Sequence, residues 1–197
     1  MKLPRQLYAR PTVQVARALL GATLVHLDPD DGRERRCRIV ETEAYCGLAD
    51  LACHAAKGRT RRTEAMFGEP GHAYLYFIYG MHWCFNVVTR PAGRAEAVLV
   101  RAAVALQHCD GHLSGPGALC RAMHLDGRRY GADLCGDQLF IEAREGVRPR
   151  IVTGERVNVE YAGAWARKPW RFAIDQEPAV SRPRPFTLPR ARPVPRR

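Results

Sequence analysis

No stretch of the chain approaches the roughly 20 consecutive apolar residues of a membrane-spanning helix. Its N-terminal MKLPRQLYARPTVQVARALLG carries Arg10 and Arg17 where a signal peptide needs an unbroken apolar segment. Both absences point to a cytoplasmic protein with no membrane partner. There is no CxxC pair either. The seven cysteines, Cys37, Cys46, Cys53, Cys84, Cys109, Cys120 and Cys135, are odd in number and lack framework spacing, which reads as reduced thiols. His108, Cys109, His112 and Cys120 cluster, but at no standard zinc spacing, so this segment reads as a polar loop and no metal is expected. Neither GxGxxG nor GxxxxGK occurs, and no internal repeat is found. Lysine is scarce and acidic residues are outnumbered: Lys+Arg 31 against Asp+Glu 20 gives a formal charge of +11, carried almost wholly by arginine. The planar arginine fork suits phosphate, so a polyanionic partner is expected. Charge alone does not separate nucleic acid, an anionic surface and a merely soluble basic exterior.

What is present is a folding sequence. The 197 residues, 46% of them hydrophobic, fit one domain, and no Pro/Gly-rich break interrupts them before the C-terminus. Thr12 as N-cap, with Val13, Ala16 and Leu20 at helical spacing and Gly21 behind them, predicts a helix over 12–20. ATLVHL, the turn Asp28-Pro29-Asp30-Asp31-Gly32 and the run Arg36 to Tyr45 predict a hairpin. Gly47 to Gly71 reads as loop with one helical turn at most. Ala73 to Thr89 reads as two strands joined tightly at Tyr79-Gly80-Met81, which sets Tyr76 and Asn86 facing each other. A further strand is expected over 97–104 and a short helix after Ser114-Gly115-Pro116-Gly117. That turn reads equally as a plain helix start or as backbone N–H groups offered to a phosphate. Leu139 to Glu142, Arg150 to Thr153 and Trp170 to Ile174 complete a strand-rich second half. From Pro178 the chain is mostly Pro and Arg, and residues 178–197 are expected to form a disordered tail that acts through its charge.

Within RIVETEAY, strand alternation puts Glu43 and Tyr45 on one face with Glu41 and Ile39. A carboxylate beside an aromatic suits a hydrolase that grips a flat ring and aims a water at it, although a surface Glu beside a core Tyr is the commoner arrangement. Tyr74, Tyr76, Tyr79, Trp83 and Phe85 add rings suited to stacking on bases, at least half of which ordinary core packing would claim.

The order RIVETEAY, His54, MFGEPGHAYLYFIYGMHWCFNVV, VLVRA, SGPGALCRA and AGAWARKPWRF, spanning residues 12–174, resembles the alkyladenine (3-methyladenine) DNA glycosylase family shared by mammals and many bacteria. The resemblance implies a single mixed α/β (α+β) catalytic domain over residues 1–177, with a curved, mostly antiparallel sheet, a protruding β-hairpin and flanking helices. It implies no cofactor and a monomer, cytoplasmic and nucleoid-associated, whose partner is double-stranded DNA containing damaged purines. The implied reaction flips out 3-methyladenine, 7-methylguanine or hypoxanthine and hydrolyses the N-glycosidic bond without a lyase step. Position by position, Glu43 falls on the general base and Arg101 on a polar partner that helps place the water. Tyr45, His54 and Tyr76 fall on the walls of the base pocket, Asn86 on the residue that crowds the amino group of guanine, and Tyr79 on the side chain inserted into the minor groove. By themselves His54 reads as a structural histidine and Arg101 as a phosphate contact or surface charge. The chain departs from the family in Ala102 to Leu113, shorter than the usual basic segment before SGPG. Two other classes compete: a non-catalytic single-stranded nucleic-acid binder, which gives Glu43 no role, and a nuclease holding Mg²⁺ on Glu41, Glu43 and Asp50.

Overall fold

The computed structural model describes residues 1–184 and 186–187. A short helix, α1 (Arg5–Tyr8), precedes α2 (Thr12–Ala18), which stops short of the predicted Leu20. Thr12 does not cap α2. Its hydroxyl lies 2.7 Å from that of Thr89 and donates to Glu96 at 2.5 Å, so bonds to distant strands take the oxygen that a cap would use. Helix α2 lies on the sheet, where the Thr42 hydroxyl donates to its Ala16 carbonyl at 2.9 Å.

The predicted hairpin forms from β1 (Thr23–Leu27) and β2 (Glu34–Tyr45). The segment Gly47 to Gly71 holds two 3₁₀ turns, His54–Lys57 and Glu64–Phe67, one more than expected. Then follow β3 (Ala73–Ile78), β4 (His82–Thr89), β5 (Glu96–Gln107), the helix α3 (Pro116–Ala122) and β6 (Leu139–Glu142). After these come β7 (Ile151–Gly154), β8 (Arg171–Ile174) and β9 (Phe186–Thr187). The nine strands among the described residues join one curled antiparallel sheet ordered β3-β4-β5-β2-β8-β7-β9, with β1 joining β2 to β6. This is the mixed α+β domain expected. Leu19, Leu20, Ile39, Phe85, Val98, Val100, Leu119 and Met123 form its main core, between the sheet and the helices.

Two expectations are corrected. Tyr76 pairs with Cys84, and Asn86 with Tyr74, because the connection is centred on Gly80 and sets Ile78 opposite His82. The segment from Pro178 is anchored to the fold at several described positions, although Pro178, Arg182, Pro183 and Arg184 are exposed. Val180 joins Val40, Ala102, Val152 and Ala173 in a small core, Ser181 is buried, and β9 pairs with β7. Composition underestimates this segment because one valine and one serine suffice to anchor it. The rest of the expected tail lies outside the described residues. At Ser114-Gly115-Pro116-Gly117 a Cβ on Gly117 would come within 2.9 Å of His82, so glycine lets α3 pack directly on β4.

Candidate active site

The polar centre is built by an irregularity between β2 and β5. Ile39 pairs with Ala103, Glu41 with Ala102 and Thr42 with Val100, so Val40 on one strand and Arg101 on the other are each passed over in the register. Such bulges leave a residue unpaired without ending the sheet. Arg101 stays on the face that carries both glutamates, unpaired across the strand. Its Nε donates to Glu41 Oε1 at 3.2 Å and its Nη1 lies 3.5 Å from Glu43 Oε1. Burial alone would lower the Arg101 pKa, but the charges of Glu43 and Glu41 outweigh it and hold the guanidinium above its ordinary value.

Glu43 is 0% exposed in the folded chain. Oε2 accepts from the Tyr45 hydroxyl at 2.7 Å, and Oε1 accepts from the backbone N–H of Val157 at 2.9 Å. Burial, then the nearby Glu43 charge, pushes the Tyr45 phenol well above its ordinary pKa, so it stays a donor. Tyr45, Arg101 and Val157 all line one cavity of about 300 Å³, the lower end of the roughly 300–1,000 Å³ usual for small-molecule pockets. A carboxylate has about four acceptor positions. Its three neighbours leave one acceptor position of Glu43 unfilled.

The cavity walls are rings. His54 meets Tyr76 edge-on at a centroid distance of 4.4 Å, and its Nδ1 lies 2.8 Å from the Tyr74 hydroxyl. Burial, helped by the positive charges of Arg62 and Lys57, lowers the His54 pKa to about 4, so the imidazole is neutral at pH 7. Asn86 is buried, and its amide nitrogen donates to the Tyr74 and Cys84 carbonyls at 3.0 and 3.3 Å, which prevents it from turning aside. Tyr79 sits at the tip of the β3–β4 hairpin, 75% exposed and lining the cavity mouth. Both Tyr79 (φ 52) and Gly80 (φ 64) adopt left-handed backbone.

All seven residues named from the sequence therefore meet here: six line the cavity, and Glu43 bonds three of its lining groups. Tyr74 and Phe85 are the rings that belong to the core, although the Tyr74 edge also reaches the cavity. Other contributors left no signal in the strand patterns. The loop after β7 supplies Val157, Asn158 and Tyr161 to the wall, with Tyr161 71% exposed at the mouth. Behind Tyr45, the buried Arg156 guanidinium lies 4.8 Å from that ring's centroid and 5.1 Å from that of Trp170. Arg156 is clamped by Asp50 at 2.5 and 2.9 Å. Asp50 is thus spent on Arg156, and Glu41 on Arg101 and Arg171, so Glu41, Glu43 and Asp50 do not gather as a cation site.

Aromatic walls around a cavity, with a buried carboxylate held among donors at its edge, are the equipment of a hydrolase acting on a flat heterocycle. The methylpurine-DNA glycosylase family model matches residues 6–178, and the chain belongs to that family. It shares 55% identity over 188 residues with a protein of Anaeromyxobacter dehalogenans strain 2CP-1, covering 94% of this chain and 88% of that one. It is 47% identical over 197 residues to one from Methanocella arvoryzae (93% and 97% covered) and 44% identical over 183 residues to one from Legionella pneumophila strain Corby (92% and 98%). All three relatives are provisionally named 3-methyladenine DNA glycosylase. Membership makes the chain a DNA glycosylase, a hydrolase of DNA repair. No described helix is long and apolar enough to cross a membrane.

Proposed function

We propose that the chain, acting as a monomer on duplex DNA, flips an alkylated or deaminated purine into this cavity and hydrolyses its bond to deoxyribose, leaving an abasic site. The observation that carries the reading is the Glu43 carboxylate, buried and bonded to three groups that line a ring-walled cavity. A stacked base is out of reach of any side chain, so extrusion comes first, at a few kcal/mol, least for damaged or mispaired nucleotides. Stacking on the cavity rings returns roughly 1–3 kcal/mol per base. Tyr79, exposed on its hairpin tip, fills the gap left in the duplex and opposes re-insertion.

Glu43 then takes a proton from water as the water oxygen attacks the anomeric carbon, and the bonding electron pair leaves with the purine nitrogen. The sugar passes through an oxocarbenium-like state, which the same carboxylate stabilises. Arg101 draws negative charge toward the water side and fixes the orientation of Glu43. A 3- or 7-alkylated purine is already cationic and departs neutral; hypoxanthine needs a ring proton and reacts more slowly. Glu43→Gln tests the reading: it should bind a hypoxanthine-containing duplex nearly as well as the parent and release free base slower by several powers of ten. Near-normal release would sink it.

A further inference from the structure

The carboxylate nearest Glu43 in sequence on the same polar face, Glu41, is fully buried and has no place in the reaction described above. Its Oε1 accepts from Arg171 Nε at 2.6 Å and Arg101 Nε at 3.2 Å. What completes its shell comes from the far end of the chain. The Ser181 backbone N–H donates to Glu41 Oε2 at 2.7 Å, and the Ser181 hydroxyl lies 3.0 Å from Glu41 Oε1. The same hydroxyl accepts from Arg101 Nε at 3.3 Å, and the Ser181 carbonyl accepts from Arg171 Nη2 at 3.0 Å. One hydroxyl thus donates to Glu41 and accepts from Arg101, filling both its roles. Ser181 is 3% exposed and lies beyond the stretch matched by the family model, which stops at residue 178.

The charges explain why the segment is needed. Two guanidinium groups and two carboxylates meet inside the sheet, and a buried ion cluster is stable only where its remaining donors and acceptors are satisfied. With Ser181 in place, Arg101 Nε is shared between Glu41 and the hydroxyl, so Nη1 is held toward Glu43. Without it, Nε loses one of its two acceptors and the guanidinium can swing toward Glu41, away from the site of attack.

We propose that Ser181, on the strap formed by residues 178–184, is a positioning residue for Arg101, acting through Glu41 and directly, so that this C-terminal segment completes the active site. The inference rests on the function proposed above. Single-turnover release of hypoxanthine from a duplex, and affinity for the same duplex carrying a tetrahydrofuran abasic analogue, are measured for the parent, Ser181→Ala, Ser181→Thr, Val180→Ala and Glu43→Gln. Ser181→Ala should slow release about tenfold, the scale of one lost hydrogen bond to a charged group, with affinity within about twofold of the parent. Ser181→Thr, which keeps the hydroxyl, should recover most of the rate. Val180→Ala loosens the strap's packing, and should lower the unfolding temperature with the rate unchanged. A folded Ser181→Ala as fast as the parent overturns the inference alone, as does a Val180→Ala slowed equally, which would mean that the strap contributes stability only. A parent no faster than Glu43→Gln overturns the proposed function and this inference together.

Discussion

On the proposed function, selectivity falls to a single residue, Asn86. Its amide nitrogen is tied to two carbonyls of its own hairpin, so the side chain cannot rotate to admit a purine bearing an exocyclic amino group at that edge. Asn86→Ser should therefore raise kcat/KM for undamaged guanine relative to hypoxanthine about tenfold, within the range that one small group commands in a pocket. Free guanine and hypoxanthine released from matched duplexes give the ratio. An unchanged ratio in a folded variant would move discrimination to the cost of flipping a paired guanine. Cys84, and not Asn86, lies across from Tyr76. The turn Tyr79-Gly80-Met81 is legible in the sequence, and a turn centred on Gly80 already sets Tyr76 opposite Cys84; placing Asn86 there would need a centre one position later, and such a shift changes every cross-strand partner.

At the scale of elements, strands were the legible part. The aromatic and β-branched richness of β3 and β4, the run RIVETEAY and the valine-rich β5 announce themselves by composition, and every described strand except β9, which falls in the expected tail, lies within a few residues of its expected place. The bulges opposite Val40 and Arg101 did not, since they follow from pairing across the sheet and leave no local pattern. Arg156 and Ser181 were invisible for a related reason: each serves a residue more than a hundred positions away, Ala44 in one case and Glu41 in the other. The β3–β4 hairpin yields the clearest test at this scale. Tyr79→Gly relieves a left-handed non-glycine, worth roughly 1–2 kcal/mol, against glycine's added chain entropy of roughly 0.5–1 kcal/mol. Stability should hold or rise. Excision should nonetheless fall about 10- to 100-fold, the equivalent of roughly 1–3 kcal/mol of stacking. Thermal unfolding and single-turnover release would be read on the same sample, and a variant as fast as the parent would show that the tip takes no part in flipping.

Across the whole molecule, the formal charge of +11 overstates what phosphates meet. Arg35, Arg101, Arg156 and Arg171 are buried and bonded internally, and Arg128 is shared between Asp30 and Asp126. Arg61 and Arg62, exposed beside the hairpin and lining a groove with Phe77, are placed to meet a backbone. Log affinity for duplex should fall linearly with log salt, at about −0.9 per phosphate neutralised. Arg61→Ala should flatten that slope by about one contact without changing which base is released; an identical slope would place the phosphate contacts elsewhere. Glu43 itself rides on a strand paired along both edges, with Leu99 on β5 and Arg171 on β8, whereas His54 and Tyr161 lie on the segments between strands. On the proposed function, the wall residues His54 and Tyr161 can be exchanged without touching the strand that carries Glu43, whereas Tyr45, on that same strand and bonded to Glu43, cannot.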